Sequence, residues 1–198
     1  MPLAAIILAA GNGTRMKSST PKVLHNVGGM PLLGHVLSLT RNLEITETVV
    51  IIGHGSEKVK EYIKSNEDRS YCVNQPTQLG TGNAVQCATE TLKNFEGNLI
   101  ILSGDVPFVR KETVEKMLNE LAKGADLAVL GFQTPNPKHY GRIILKEDNS
   151  VSEIVEEKDA TENQRSVDLC NAGIYCGKSD VIFSLIRQLK NENAASEL

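Results

Sequence analysis

Apolar residues along this chain follow two periods. Residues 3–10 form an unbroken apolar run ending in Gly11-Asn-Gly-Thr14, and continuous apolarity over so few positions predicts a strand covered on both faces, as in a parallel sheet. Residues 48–52, closed by Gly53, and residues 98–102, ending in Ser-Gly-Asp105, read the same way. Between these runs the spacing becomes helical. Pro31 suits a first turn before Leu32, Leu33, Val36, Leu37 and Leu39, while Val59, Tyr62 and Ile63 mark one face of a helix over 56–64. A short strand near 71–73 leads into a loop over 74–82, followed by a helix over 83–92. A helix over 111–122 and a strand over 126–132 continue the pattern. Such alternation predicts an α/β sheet of mainly parallel strands.

After Pro135 the pattern changes. Residues 140–146 and 151–155 flank the turn Glu147-Asp-Asn-Ser150 and predict a hairpin; a strand over 169–176 and a helix over 179–189 follow. This part reads as an antiparallel or mixed addition beside the parallel sheet. No repeat, low-complexity tract or linker divides the chain, so residues 1–198 are expected to form one domain.

Composition narrows the function classes. Apolar residues make up 40% of the 198 and charged residues 23%, which is ordinary for a folded domain. A net charge of −3 gives no electrostatic reason to expect nucleic acid or an anionic membrane. No apolar run is long enough to span a bilayer, and the start lacks the layout of a signal peptide, so a cytoplasmic location is expected. Cys72, Cys87, Cys170 and Cys176 form no C-x-x-C pair and read as small, partly buried thiols.

The segment Gly11-Asn-Gly-Thr-Arg-Met-Lys17-Ser18 follows the first strand, where open α/β sheets bind ligands. Glycine lets the backbone turn tightly and approach a phosphate closely. Two common phosphate motifs fail at specific positions. A Walker A loop from Gly11 needs glycine where Met16 sits, and the dinucleotide fingerprint needs a small residue there and an acidic residue farther on, which 25–40 lacks. What remains is Leu8-Ala-Ala-Gly-Asn-Gly-Thr-Arg15, then six residues, then Lys22 in Pro21-Lys-Val-Leu24. Two cations flanking a glycine turn make sense as clamps on a triphosphate.

This pattern resembles the signature of the sugar-nucleotide pyrophosphorylases. Further segments are similar to one branch of them, the uridyltransferase domain of bifunctional bacterial N-acetylglucosamine-1-phosphate uridyltransferase/glucosamine-1-phosphate acetyltransferases. They are Pro-Lys-Val-Leu-His25, Gln75-Pro-Thr-Gln-Leu-Gly-Thr-Gly82, Gly104-Asp-Val-Pro107, Tyr140-Gly-Arg-Ile143, Ile154-Val-Glu-Glu-Lys-Asp-Ala160 and Asn171-Ala-Gly-Ile174. They span nearly the whole chain in the family's order.

The resemblance implies a Rossmann-like nucleotidyltransferase fold: a mainly parallel mixed sheet flanked by helices, with an antiparallel sugar-binding addition. It implies Mg2+-dependent joining of UTP to N-acetylglucosamine 1-phosphate, which supplies a sugar nucleotide for cell-wall synthesis. Leu8, Ala9, Ala10 and Gly11 would lie against the nucleotide. Arg15 and Lys22 would act on its phosphates, and Gln75, Gly80 and Thr81 would read uracil. Ser103 and Gly104 would border the substrate, Asp105 would hold Mg2+, and Gly141, Glu156 and Asn171 would hold the sugar. A phosphate nucleophile is already ionised, so His25 and His54 are read as structural or surface residues rather than bases.

Ser103 and Asn83 depart from the family's pattern without an obvious loss of function. The family's second metal-holding residue, an asparagine, and its acetyltransferase β-helix would lie beyond Leu198, so weak or absent turnover by these residues alone is expected. Three alternatives stay open: a non-catalytic binding fragment, half of a split enzyme, or a pyrophosphorylase for another nucleotide and sugar. A homo-oligomer and a separate chain supplying the remainder are both compatible with the sequence.

Overall fold

The opening apolar run forms β1 (Leu3–Ala9), and its position explains its composition. It pairs in parallel with β4 (Glu47–Ile52) on one side and β6 (Asn98–Ser103) on the other, so Ile7 sits between Val50 and Leu102. A strand in that place has no polar surroundings on either face. The computed structural model describes residues 1–189 apart from 12, 14, 15, 54 and 67–69.

Alternation along the central strands divides the core into two layers. On one face Ala5, Ile7, Val50, Ile52, Ile100 and Leu102 pack against α1 (Leu32–Asn42), α2 (Ser56–Asn66) and α4 (Lys111–Ala122), through Leu33, Val36, Val59, Ile63, Val114 and Met117. On the other face Ala4, Ile6, Val49, Ile51, Leu99 and Ile101 meet α3 (Thr81–Cys87) and α6 (Ser179–Gln188), through Ala84, Val85, Ile182 and Phe183. Helices therefore cover both faces of the sheet. None of the helices among the described residues is long and apolar enough to cross a membrane.

Parallel strand β5 (Ser70–Asn74) extends the sheet beyond β4. On the far side, β10 (Leu169–Lys178) runs antiparallel to β6 and carries β7 (Leu127–Gln133) along its other edge. The hairpin of β8 (Arg142–Leu145) and β9 (Val151–Val155) follows, giving the order β5-β4-β1-β6-β10-β8-β9. The pairings make β9 and β10 run against the other six strands of this sheet. The expected mainly parallel sheet with an antiparallel addition is thus observed.

One irregularity shapes the site. β10 faces β6 from Tyr175 onward but meets β8 at Cys170, with a register shift between Asn171 and Tyr175. Gly173, at φ 70°, lies in that shift. The left-handed region is open to glycine at little steric cost, so the strand can bend away from β6 there.

Three elements were not expected. A two-stranded ribbon, β2 (Asn26–Val27) with β3 (Met30–Pro31), turns at Gly28-Gly29, where both glycines have positive φ. Residues Lys22–Leu24 form a single 3-10 turn. The short α5 (Glu162–Arg165) begins at Thr161, which shares a reciprocal capping box with Gln164. The four cysteines are free; Cys170 and Cys176 are buried, whereas Cys72 is exposed and Cys87 half-buried. Burial pushes the Cys176 thiol up to about 12, so it carries no thiolate near neutral pH.

Candidate active site

The sheet order reverses at β1: the chain leaves it toward β4 through α1 on one face and enters β6 from α3 on the other. At such a switch point the loops at the carboxyl ends of the strands part and leave a crevice. Here it is a cleft of about 340 Å³, lined by Leu8, Ala10, Gly11, Gln75, Gln78, Gly80, Thr81, Ala84, Ser103 and Asp105. Eight expected site residues therefore share one cavity. Ala9 and Gly104 lie beneath it: Ala9 is buried, and the Gly104 amide donates to the Leu8 carbonyl at 2.9 Å. Arg15 and His54 lie outside the described residues.

The glycine turn has a steric requirement. Gly13 has φ 56°, and a Cβ there would come within 2.9 Å of the Lys22 Cβ, so the turn and the lysine segment are in direct contact. Gly11 differs, because a Cβ there would point into open space. Its missing side chain keeps backbone accessible rather than avoiding a clash.

Lys22 Nζ forms an ion pair with Asp105 Oδ2. The expected phosphate clamp and the expected metal ligand therefore neutralise one another in the free chain. Both are partly exposed, at 41% and 30% of the side chain, and such pairs contribute little to stability. The pair can part when a stronger anion reaches the lysine and a cation reaches the aspartate.

Residues 75–80 form the opposite wall. Gln75 is buried, and its amide nitrogen donates to the Gly80 carbonyl at 3.1 Å and to Asn83 Oδ1 at 2.9 Å. Both amide protons are thereby used, and Oε1 is what the group can offer a ligand. Gly80, at φ 96°, precedes Thr81, the first residue of α3. The helix thus starts two residues earlier than its sequence suggests and ends at Cys87. Gln78, given no role in the sequence reading, donates to the Ala10 carbonyl at 2.5 Å and ties this wall to the end of β1. Its position inside the matched segment Gln75–Gly82 was the only signal for it.

A second group lies on the antiparallel side. The Asn171 amide donates to the Gly141 carbonyl at 2.9 Å, and a Cβ on Gly141 would stand 3.0 Å from Glu156 Oε1. The three expected sugar-binding residues are therefore together. Gly173 links this group to the cleft, since a Cβ on it would lie 3.7 Å from Ser103 Oγ. Within it, Asn171 Oδ1 accepts from the Gly173 amide at 2.9 Å and Nδ2 donates to the Tyr175 hydroxyl at 2.7 Å. Burial raises the Tyr175 pKa and the nearby Glu156 charge adds to this, while the Asn171 bond opposes them.

Comparison with known proteins decides the family. Residues 5–167 match the model of the MobA-like NTP transferase domain. The chain belongs to that family.

As an NTP transferase domain it is similar to the bifunctional protein GlmU of Cereibacter sphaeroides, with 43% identity over 97% of this chain and 42% of that protein. The bifunctional protein GlmU of Geobacter sulfurreducens is 44% identical over 98% of the chain and 41% of its own length. The chain thus spans about two-fifths of the curated relatives it matches. A UDP-glucose pyrophosphorylase solved with UDP-glucose has the same fold, with a TM-score of 0.78 at 17% identity over 98% of this chain and 83% of that one.

Nucleotidyltransferases generally use a divalent metal. Among the described residues of this NTP transferase domain, no group of three or more His, Cys, Asp or Glu could hold one. Asp105 alone, at the cleft, suits a hard cation that takes most of its oxygen ligands from phosphates and water.

Proposed function

We propose that the chain is the uridylyl-transferring part of an enzyme that makes UDP-N-acetylglucosamine and pyrophosphate from UTP and N-acetylglucosamine 1-phosphate. The observation that carries this reading is the Gln75 amide, fixed with both protons on protein acceptors and Oε1 left over. A lone acceptor matches the N3–H of uracil and opposes the N3 lone pair of cytosine. The similarity to GlmU proteins along the chain supports the sugar. The grouping of Gly141, Glu156 and Asn171 supports it too, since a carboxylate and a carboxamide brought together by the Gly141 backbone suit hydroxyls and an acetamido group.

The reaction needs no protein nucleophile. A phosphate oxygen of the sugar 1-phosphate attacks the α-phosphorus of UTP in line. As that P–O bond forms, the bond to the bridging oxygen breaks and pyrophosphate leaves with the electron pair. Catalysis is then mainly positioning and charge neutralisation. Lys22 leaves Asp105 for the phosphates, Arg15 would take the same role, and Asp105 would hold Mg2+. The ion's contribution when bound is neutralisation of phosphate charge. Ser103 and Gly104 shape the floor between nucleotide and sugar. Nucleoside triphosphate and sugar phosphate as substrates support a cytoplasmic location.

Calorimetry with a panel of nucleoside triphosphates tests the reading. UTP is expected to bind most tightly, and a preference for ATP or GTP would remove the assignment. Gln75→Ala is expected to weaken UTP about tenfold, the upper range for one neutral hydrogen bond, and to narrow the gap between UTP and CTP. An unchanged gap would show that uracil is read elsewhere.

A further inference from the structure

Tyr175 lies outside the segments that resemble the family, yet the structure ties it to them. It is the residue at which β10 pairs with both central β6, opposite Ile101, and β7, opposite Val129. Four positions earlier, past the register shift and Gly173, Asn171 is no longer paired with β6. Asn171 stays opposite Gly131 of β7, but no ladder joins it directly to β6, the strand that ends at Ser103. The Tyr175 hydroxyl spans that break by accepting from Asn171 Nδ2 at 2.7 Å.

The bond also holds the second end of the amide. Gly173 N–H is a donor only, so it fixes Oδ1 at 2.9 Å, and Nδ2 must then face the hydroxyl. One N–H of Asn171 and one lone pair of Oδ1 are left for a ligand. Burial, which raises the Tyr175 pKa, keeps the phenol neutral through the physiological range. Removing the hydroxyl would take away the partner of Nδ2 and leave the carboxamide held at its Oδ1 end alone.

We propose that Tyr175 is a positioning residue of the sugar pocket, holding the Asn171 carboxamide at a fixed orientation and distance from β6 so that it can bind the sugar of a sugar nucleotide. The inference rests on the proposed function, because it takes the group around Asn171 to be the sugar pocket. Tyr175 acts through Asn171 and does not itself touch the substrate.

Calorimetry on the full chain tests this with UTP and UDP-N-acetylglucosamine as probes and Tyr175→Phe, Asn171→Ala and the double variant as proteins. Tyr175→Phe keeps the ring and its packing. It is expected to weaken UDP-N-acetylglucosamine about three- to tenfold, in line with one lost neutral hydrogen bond, while UTP stays within about twofold. In the Asn171→Ala background the same change is expected to have no further effect, since coupled partners are non-additive. Equal loss of both ligands, unchanged binding of both, or a full additional loss in the double variant would each overturn the proposal. A wild-type chain that binds UTP but not UDP-N-acetylglucosamine would instead remove the sugar pocket, and this inference with it.

Discussion

Replacing Lys22 with Met is expected to weaken UTP binding roughly 10- to 100-fold, the range for a charge-assisted hydrogen bond removed from a phosphate site. Two effects act in the same direction. The ammonium that would meet the phosphates is gone, and its partner Asp105 is left as an unpaired carboxylate in the same cleft. The second effect can be isolated. In the absence of divalent cation, Lys22→Met combined with Asp105→Asn is expected to recover part of the lost affinity, because the repulsion is removed with the charge. Calorimetry on the two variants measures both factors. A Lys22→Met chain that binds UTP as well as wild type would show that the pair is a surface ion pair with no part in phosphate binding.

Ile7→Ala is expected to cost about 2–5 kcal/mol of stability, the range for large-to-small changes in closed cores. For a chain of this size, a loss near 3 kcal/mol lowers Tm by about 6–12 °C. Ile7 is fully buried in the centre of the sheet, between Val50 and Leu102 and beneath the helices of one face. Ile6 packs into the opposite layer, so Ile6→Ala is expected to cost as much, whereas Leu145→Ala, at a side chain 42% exposed, should change Tm by little. Thermal unfolding followed by circular dichroism compares the three. A small shift for Ile6 alone would mean that the face carrying α3 and α6 is not closed.

That two-sided burial is why the central strands were legible in the sequence. β1, β4 and β6 are covered by helices on both faces, so their apolar runs are continuous and their ends fall at glycine or serine. Short elements held by turn chemistry were not found by periodicity. The β2–β3 ribbon has two residues per strand, and its signal was Gly28-Gly29, a pair suited to a tight hairpin turn. Thr161 followed three residues later by Gln164 is the capping pattern that could have revealed α5. The start of α3 was hidden because Gly80 and Gly82 read as loop, although Gly80 is there to supply a positive φ before the helix.

For the site, local segments identified residue types but not their mutual relations. Lys22 and Asp105 are 83 positions apart, and only the adjacency of β1 and β6 brings them together. The same holds for Gly141, Glu156 and Asn171, which meet because β8 lies between β9 and the start of β10. Gln78 and Tyr175 escaped notice because their roles depend on one hydrogen bond each, to the end of β1 and across a strand irregularity.

A crystal of the chain grown with UTP and Mg2+ tests the central claim most directly. The expected result is uracil against Gln75 Oε1, phosphates between the Gly11–Gly13 turn and Lys22, and Lys22 parted from Asp105. Nucleotide bound elsewhere, with the cleft at the ends of β1 and β6 vacant and the Lys22–Asp105 pair intact, would contradict it.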